Sequence, residues 1–197
     1  MTYIWGVIRE YAYKRKNLLY FHIAMLFFVV MLALIFRQKF LVFMLLLVLY
    51  IIDIIFDIFL RFTLRPIYRT FPVGIELVTF NTVVAAIALG PIAGVICGLI
   101  FGMTYYGIIF SFNSTYQLIN IPAYGLLGYL AASLPISSMV WLGVILSGMY
   151  ALVTSIFILF FFGGRIEKCL IFIISNVMFN YWVFTHASPI VLNIIGV

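Results

Sequence analysis

Asp53, Asp57 and Arg61 follow one another at four-residue steps. On a helix this spacing sets all three along one face. They lie in or beside an apolar run, where a buried carboxylate is costly and needs a partner. Arg61 supplies one to Asp57 as an in-helix ion pair near the inner membrane interface, with Arg65 or Arg69 able to join it. The other chemistry this pattern would serve is cation or proton binding at Asp53, which lies too deep for its carboxylate to reach water. Glu76 is the last acid before a long uncharged stretch. It opens the next helix, where a carboxylate suits the positive end of the helix dipole. Contact with a substrate or metal is its alternative role.

Uncharged polar residues gather at two further places. Asn113, Ser114, Tyr116, Gln117 and Asn120 flank one loop, and Asn176 and Asn180 share one face of the last helix. Asparagine in a membrane helix usually hydrogen-bonds to a neighbouring helix. A small-molecule pocket would need the same groups, with Tyr105, Tyr116, Tyr181 and Trp182 supplying flat surface. The candidate ligand-binding residues are therefore Glu76, Asn81, Asn113, Tyr116, Gln117, Asn120, Asn176 and Asn180. His22 and His186 are isolated and suit the interfacial belt. Cys97 and Cys169 show neither a CxxC motif nor any Cys/His ligand spacing, so both read as small core residues and no metal or cofactor is expected. The sequence has no HExxH, no GxSxG and no phosphate-binding glycine loop after a strand, so no catalytic residues are assigned and the chain is not expected to be an enzyme.

Gly90, Gly94, Gly98 and Gly102 recur at intervals of four in GPIAGVICGLIFG. They form one stripe from which side chains are missing, so that a second helix can approach closely. The stripe serves packing inside the bundle or docking of a partner subunit. Gly143, Ser147 and Ala151 make a second, weaker stripe.

The elements that position these residues follow from composition. From 77 to 164 the chain runs 88 residues without Lys, Arg, Asp, Glu or His, and mean hydropathy is +1.29. A soluble fold needs charge on its surface, typically about 25% of residues; here the figure is 8%. The solvent for most of the surface is lipid, and helix is the structure that satisfies its own backbone there. Apolar segments fall at about 17–36, 40–60, 75–89, 92–110, 118–134, 138–162 and 169–197. Polar turns are expected at 37–39 and 163–168, and the last segment is interrupted at His186, Ser188 and Pro189. The expected fold is an all-α membrane protein, a polytopic bundle of six to seven transmembrane helices. Its net charge of +6 does not point to nucleic acid, because the basic residues sit at segment ends. With seven spans, nine of them fall inside (Arg9, Lys14, Arg15, Lys16, Arg61, Arg65, Arg69, Arg165, Lys168) and only Arg37 and Lys39 outside. This bias puts the N-terminus in the cytoplasm.

Pro72-Val73-Gly74-Ile75-Glu76, followed by VVAAIALGPIAGVICGLIFGM, resembles the substrate-binding (S) components of energy-coupling-factor vitamin transporters. The quoted positions are Ala85, Ala86, Ala88, Leu89, Gly90, Pro91, Ala93, Gly94 and Gly98. IPAYGLLGYLAASLP is similar to the next helix of that family and SNVMFN to its final helix. The likeness covers about 72–181, and rod-shape proteins of the MreD type look similar at this level. It implies a six-helix S-component-like fold with a ligand pocket, a membrane partner and ATPases that power transport. The organisation expected is a cytoplasmic segment 1–16, a helical hairpin 17–60 and an S-component-like core 72–197. The function expected is a membrane-embedded binding subunit for uptake of a small molecule such as a vitamin, embedded in lipid and working with integral-membrane partners. The alternative is a non-catalytic structural or assembly subunit of a larger membrane complex.

Overall fold

The computed structural model describes residues 37–63, 74–110, 116–135 and 138–196. The chain divides into two compact units, Met1–Leu41 and Val42–Val197. Only the opening of one helix, 37–41, represents the first unit among the described residues, and the bundle described below belongs to the second. The expected span at 17–36, the cytoplasmic segment 1–16 and the loop residue Asn113 lie outside the described residues.

Among the described residues the structure is all helical. The helices are α1 (Arg37–Thr63), α2 (Val78–Leu89), α3 (Pro91–Phe110), α4 (Gln117–Ser133), α5 (Met139–Phe161) and α6 (Ile166–Ile195). Four of them hold apolar stretches long enough to cross a membrane: Phe40–Leu60, Pro91–Ile108, Met139–Phe161 and Ile166–Ile195. The outward side chains suit hydrocarbon rather than water. Phe43, Ile55, Ile96, Leu126, Trp141, Leu152 and Met178 are all exposed. An apolar surface this continuous would aggregate a soluble protein, and it is consistent with a membrane protein.

Two expected interruptions are absent. Arg37-Gln38-Lys39 forms the first turn of α1 rather than a separate turn, since no glycine or proline there breaks the backbone. The last helix continues through His186, Ser188 and Pro189 to Ile195. Proline removes one backbone donor there, the one that would reach Thr185 O, and the helix carries on past this single missing bond. Thr185 Oγ1 donates one turn back to Tyr181 O at 2.7 Å, and His186 Nδ1 meets Trp182 O at 2.8 Å.

The centre of the bundle is the shortest helix. Every residue of α2 from Val78 to Ala86 is buried, and α2 packs against α3, α4, α5 and α6. At its 12 residues and ~1.5 Å per residue it spans only ~18 Å, well short of the ~30 Å hydrocarbon core. It ends at Gly90, whose φ of +93° favours glycine because it lacks a Cβ. Pro91 then starts α3 at the first helical position, where its missing N–H costs nothing.

The glycine stripe is turned inward. A Cβ on Gly94 would lie 2.6 Å from Gly128 O of α4 and 2.7 Å from the Ala86 Cβ of α2. One on Gly98 would collide with the Tyr124 carbonyl, and one on Gly102 would lie 2.7 Å from the Tyr124 ring. α3 thus lies against α2 and α4 at backbone distance, and the stripe seats Tyr124. Gly90 stands apart from this contact, with nothing within 4 Å of its would-be Cβ. The second stripe also faces inward: Ser147 and Ala151 are fully buried, and Gly143 abuts the Phe184 ring.

Gly98→Leu places four carbons against backbone that cannot move aside. Overpacking costs ~1–3 kcal/mol, and in lipid little else holds the helices once packing fails. The variant is expected to lose most of its folded monomer, read by fluorescence-detected gel filtration. A Gly98→Leu protein with wild-type yield and melting would show that this contact is not made.

Candidate functional site

Glu76 sits two residues before α2 and is 3% exposed. The segment that carries it is anchored by Gly74, whose backbone N–H donates to Ser175 Oγ at 2.9 Å, and whose own lack of a side chain lets it rest on Asn176. Glu76 was expected to cap the helix, but α2 has no side-chain cap. Its carboxylate instead collects side-chain donors from three helices. Thr79 Oγ1 donates to Oε1 at 3.1 Å, Asn176 Nδ2 to Oε1 at 3.4 Å, and the Tyr124 hydroxyl to Oε2. A buried carboxylate is held where donors replace its lost water.

The network extends in both directions. Tyr150 OH donates to Tyr124 OH at 2.8 Å, and their rings stack with centroids 4.6 Å apart. A side-chain hydrogen bond links Tyr150 to Tyr106. Asn120, one turn before Tyr124 on α4, donates to the Tyr106 hydroxyl and accepts from Thr154 Oγ1 at 2.9 Å. On α6, Asn180 Nδ2 donates to Asn176 O at 3.0 Å and approaches Asn176 Oδ1 at 3.4 Å. The fully buried pair Asn176 and Asn180 therefore forms one arm of the network, reaching Glu76 across 100 residues of sequence.

Asp53 and Asp57 present the opposite condition. Both are fully buried, and among the described residues none of their four carboxylate oxygens has a hydrogen-bond partner. The side chain of Arg61, expected to pair with Asp57, lies outside the described residues. α1 meets the bundle near these acids at several points. Leu49 O accepts from Asn81 Nδ2 at 3.4 Å, Tyr50 OH bonds Thr104 Oγ1 at 2.8 Å, and Phe56 stacks on Phe179 at 5.8 Å. The charge of Glu76 acts on both aspartates, and that of Asp53 acts on Asp57. Among the described residues no three His, Cys, Asp or Glu side chains come together to hold one metal ion.

Of the eight candidate ligand residues, Glu76, Asn120, Asn176 and Asn180 join this network. Asn81 is buried and spent on the Leu49 carbonyl. Tyr116 is 37% exposed and packs edge-on against Phe162 at the end of α5, while Gln117 keeps a buried Oε1 without a partner. Tyr181, Trp182 and His186 face outward. The network members that sequence reading passed over are Tyr124, Tyr150, Tyr106, Thr79 and Thr154. The available signal for Tyr124 was its place in mid-helix beside Gly125 and Gly128, away from the ends where belt aromatics collect.

A cavity of about 500 Å³ lies at the other end of α2. It is lined by the α2–α3 turn (Ala86, Ile87, Gly90, Pro91), the end of α4 (Ala131, Ala132, Leu134), the start of α5 (Met139, Leu142) and Leu192. None of the eight candidate ligand residues lines it.

Tyr124→Phe is expected to destabilise the protein more than Tyr150→Phe. The first removes a donor to a buried carboxylate, a bond of the ~1.5–3 kcal/mol class, together with the acceptor of Tyr150; the second removes only neutral bonds, of ~1 kcal/mol each. Thermal melting of the two purified variants checks the order; equal losses would show that Tyr124 does not serve Glu76. No protein-family model matches this chain, and no curated protein and no solved structure shows detectable similarity to it.

Proposed function

We propose that this chain is a non-enzymatic, membrane-embedded binding subunit for uptake of a small molecule such as a vitamin, working with integral-membrane partner subunits. In this reading it is an S-component-like bundle of six to seven spans with its N-terminus in the cytoplasm. The observation that carries the reading is the cavity of about 500 Å³ at the α2–α3 turn. Its volume falls in the ~300–1,000 Å³ range of small-molecule sites. Its origin is physical: α2 is too short to fill the height of the bundle, so a half-open space is left beyond its end. Apolar side chains and exposed backbone share its wall, which suits an uncharged ring or chain with a few polar groups, and the resemblance of the turn to vitamin-binding proteins supports the same class of ligand. The alternative, a structural or assembly subunit, would draw on small-residue faces turned outward, and Gly94, Gly98 and Gly143 are turned inward.

Ala132 lines the cavity and is exposed, so a larger side chain there fills the opening without entering the core. Native mass spectrometry of gently purified protein should find a retained small molecule on the wild type. Ala132→Trp should lose at least tenfold in occupancy with melting unchanged. Equal retention by Ala132→Trp, or a wild type that carries nothing after isolation with its partners, would remove the reading.

A further inference from the structure

We infer that Asp53 and Asp57, facing the Glu76 network, bind a small cation, a proton or an alkali ion, inside the bundle. The inference is independent of the organic ligand proposed above, and its test contains none.

The argument begins with a count of donors and acceptors. Around Glu76 the donors are engaged: Tyr124, Tyr150, Thr79 and both asparagine amides each have an acceptor. Among the described residues, the fully buried acceptors left without a partner include the carboxylates of Asp53 and Asp57 and Asn180 Oδ1; the Thr82 hydroxyl is also buried without one. The carboxylate and amide oxygens accept and none of them donates when the acids are ionised. The species that completes this set must donate to these oxygens or carry positive charge, and only a positive one also offsets two ionised carboxylates.

Position supports the same conclusion. Phe56 and Phe179 stack, which puts α1 and α6 at one level. Asp53 and Asp57 stand three residues before and one after Phe56. Asn176 and Asn180 stand three before and one after Phe179. All four point inward, since all are fully buried. Asn180 turns its amide nitrogen to Asn176, which donates to Glu76, so its orphaned oxygen belongs to the same cluster. Side chains four apart on a helix have Cβ atoms ~5–6 Å apart, close enough for two carboxylates to share one ion.

The described chain offers no internal counter-charge. From 77 to 164 it has no basic residue, and Arg165, Lys168 and His186 are exposed. An unpaired ionised carboxylate in such surroundings costs several kcal/mol. Two adjacent ones, each also near Glu76, call for neutralisation, by a bound proton, by a metal ion or by a basic side chain such as Arg61. The other buried titratable groups among the described residues are Glu76, Tyr105, Tyr106, Tyr124, Tyr150 and Cys169.

The test is thermal melting of the purified full chain in detergent, in choline chloride or sodium chloride at equal ionic strength, in mildly acidic and alkaline buffer. An occupied site stabilises the folded state by mass action, so emptying it lowers melting. In choline, the wild type should melt roughly 5–10 °C lower in alkaline than in acidic buffer. Recovery on adding sodium at alkaline pH identifies an alkali ion; no recovery identifies a proton. D53N/D57N should abolish the dependence in either case. A wild type indifferent to both pH and sodium, or a dependence that survives in D53N/D57N, overturns the inference. Should D53N/D57N fail to fold, infrared difference spectra of the wild type decide. A protonated-carboxyl band that disappears on raising pH, or carboxylate bands that shift with sodium, supports the site. Carboxylates already ionised and unresponsive to sodium show that Arg61 or another internal cation neutralises them, and overturn it.

Discussion

A carboxylate closed inside a helical bundle sets conditions on everything around it. Glu76 has lost its water, and the hydrogen bonds that replace it come from Thr79, Asn176 and Tyr124 on three separate helices. Each donor must arrive at a fixed place, so the packing of α2, α4 and α6 is constrained by one side chain. The glycines of α3 meet that constraint. With no Cβ at Gly94, Gly98 or Gly102, α3 lies against the backbone of α4 and the face of Tyr124, and the phenol is held where it can reach Glu76. Small residues are the means by which helices associate in lipid, where hydrophobic burial gives no preference for one neighbour over another. Here they also position a functional group.

The two ends of α2 therefore differ in kind. At its start, polar groups from five helices close on one another and leave little unsatisfied except the aspartates of α1 and Asn180 Oδ1. At its end, the helix stops short, Gly90 turns the chain, and the surrounding helices leave a half-open cavity lined by apolar side chains. Helix length accounts for the second feature as directly as hydrogen bonding accounts for the first. The cavity and the polar core therefore lie at opposite ends of one buried helix, within ~20 Å of each other along α2.

Much of the architecture could be read from the sequence, because its punctuation is strong. The charge-free stretch announced hydrocarbon, Gly90-Pro91 marked the break between α2 and α3, and the four-residue glycine spacing announced close helix contact. The four-residue spacing of Asn176 and Asn180 likewise placed both on one face. Faces were harder to assign, since lipid and protein interior are equally apolar and periodicity loses its contrast. Tyr124 and Tyr181 look alike in sequence, yet one is fully buried at Glu76 and the other is exposed. Nor does local sequence reveal that Asn176 meets a residue 100 positions away. Pro189 misled for a physical reason: it removes one backbone donor, and a long apolar helix can continue past a single missing bond.

The central claim is that the bond between Tyr124 and Glu76 ties the bundle together. A double-mutant cycle of Tyr124→Phe and Glu76→Met, followed by reversible unfolding in detergent, measures that bond directly. The expected coupling energy is ~1–3 kcal/mol, with the double variant less destabilised than the sum of the single variants. Additive losses, with coupling below ~0.5 kcal/mol, would contradict the account.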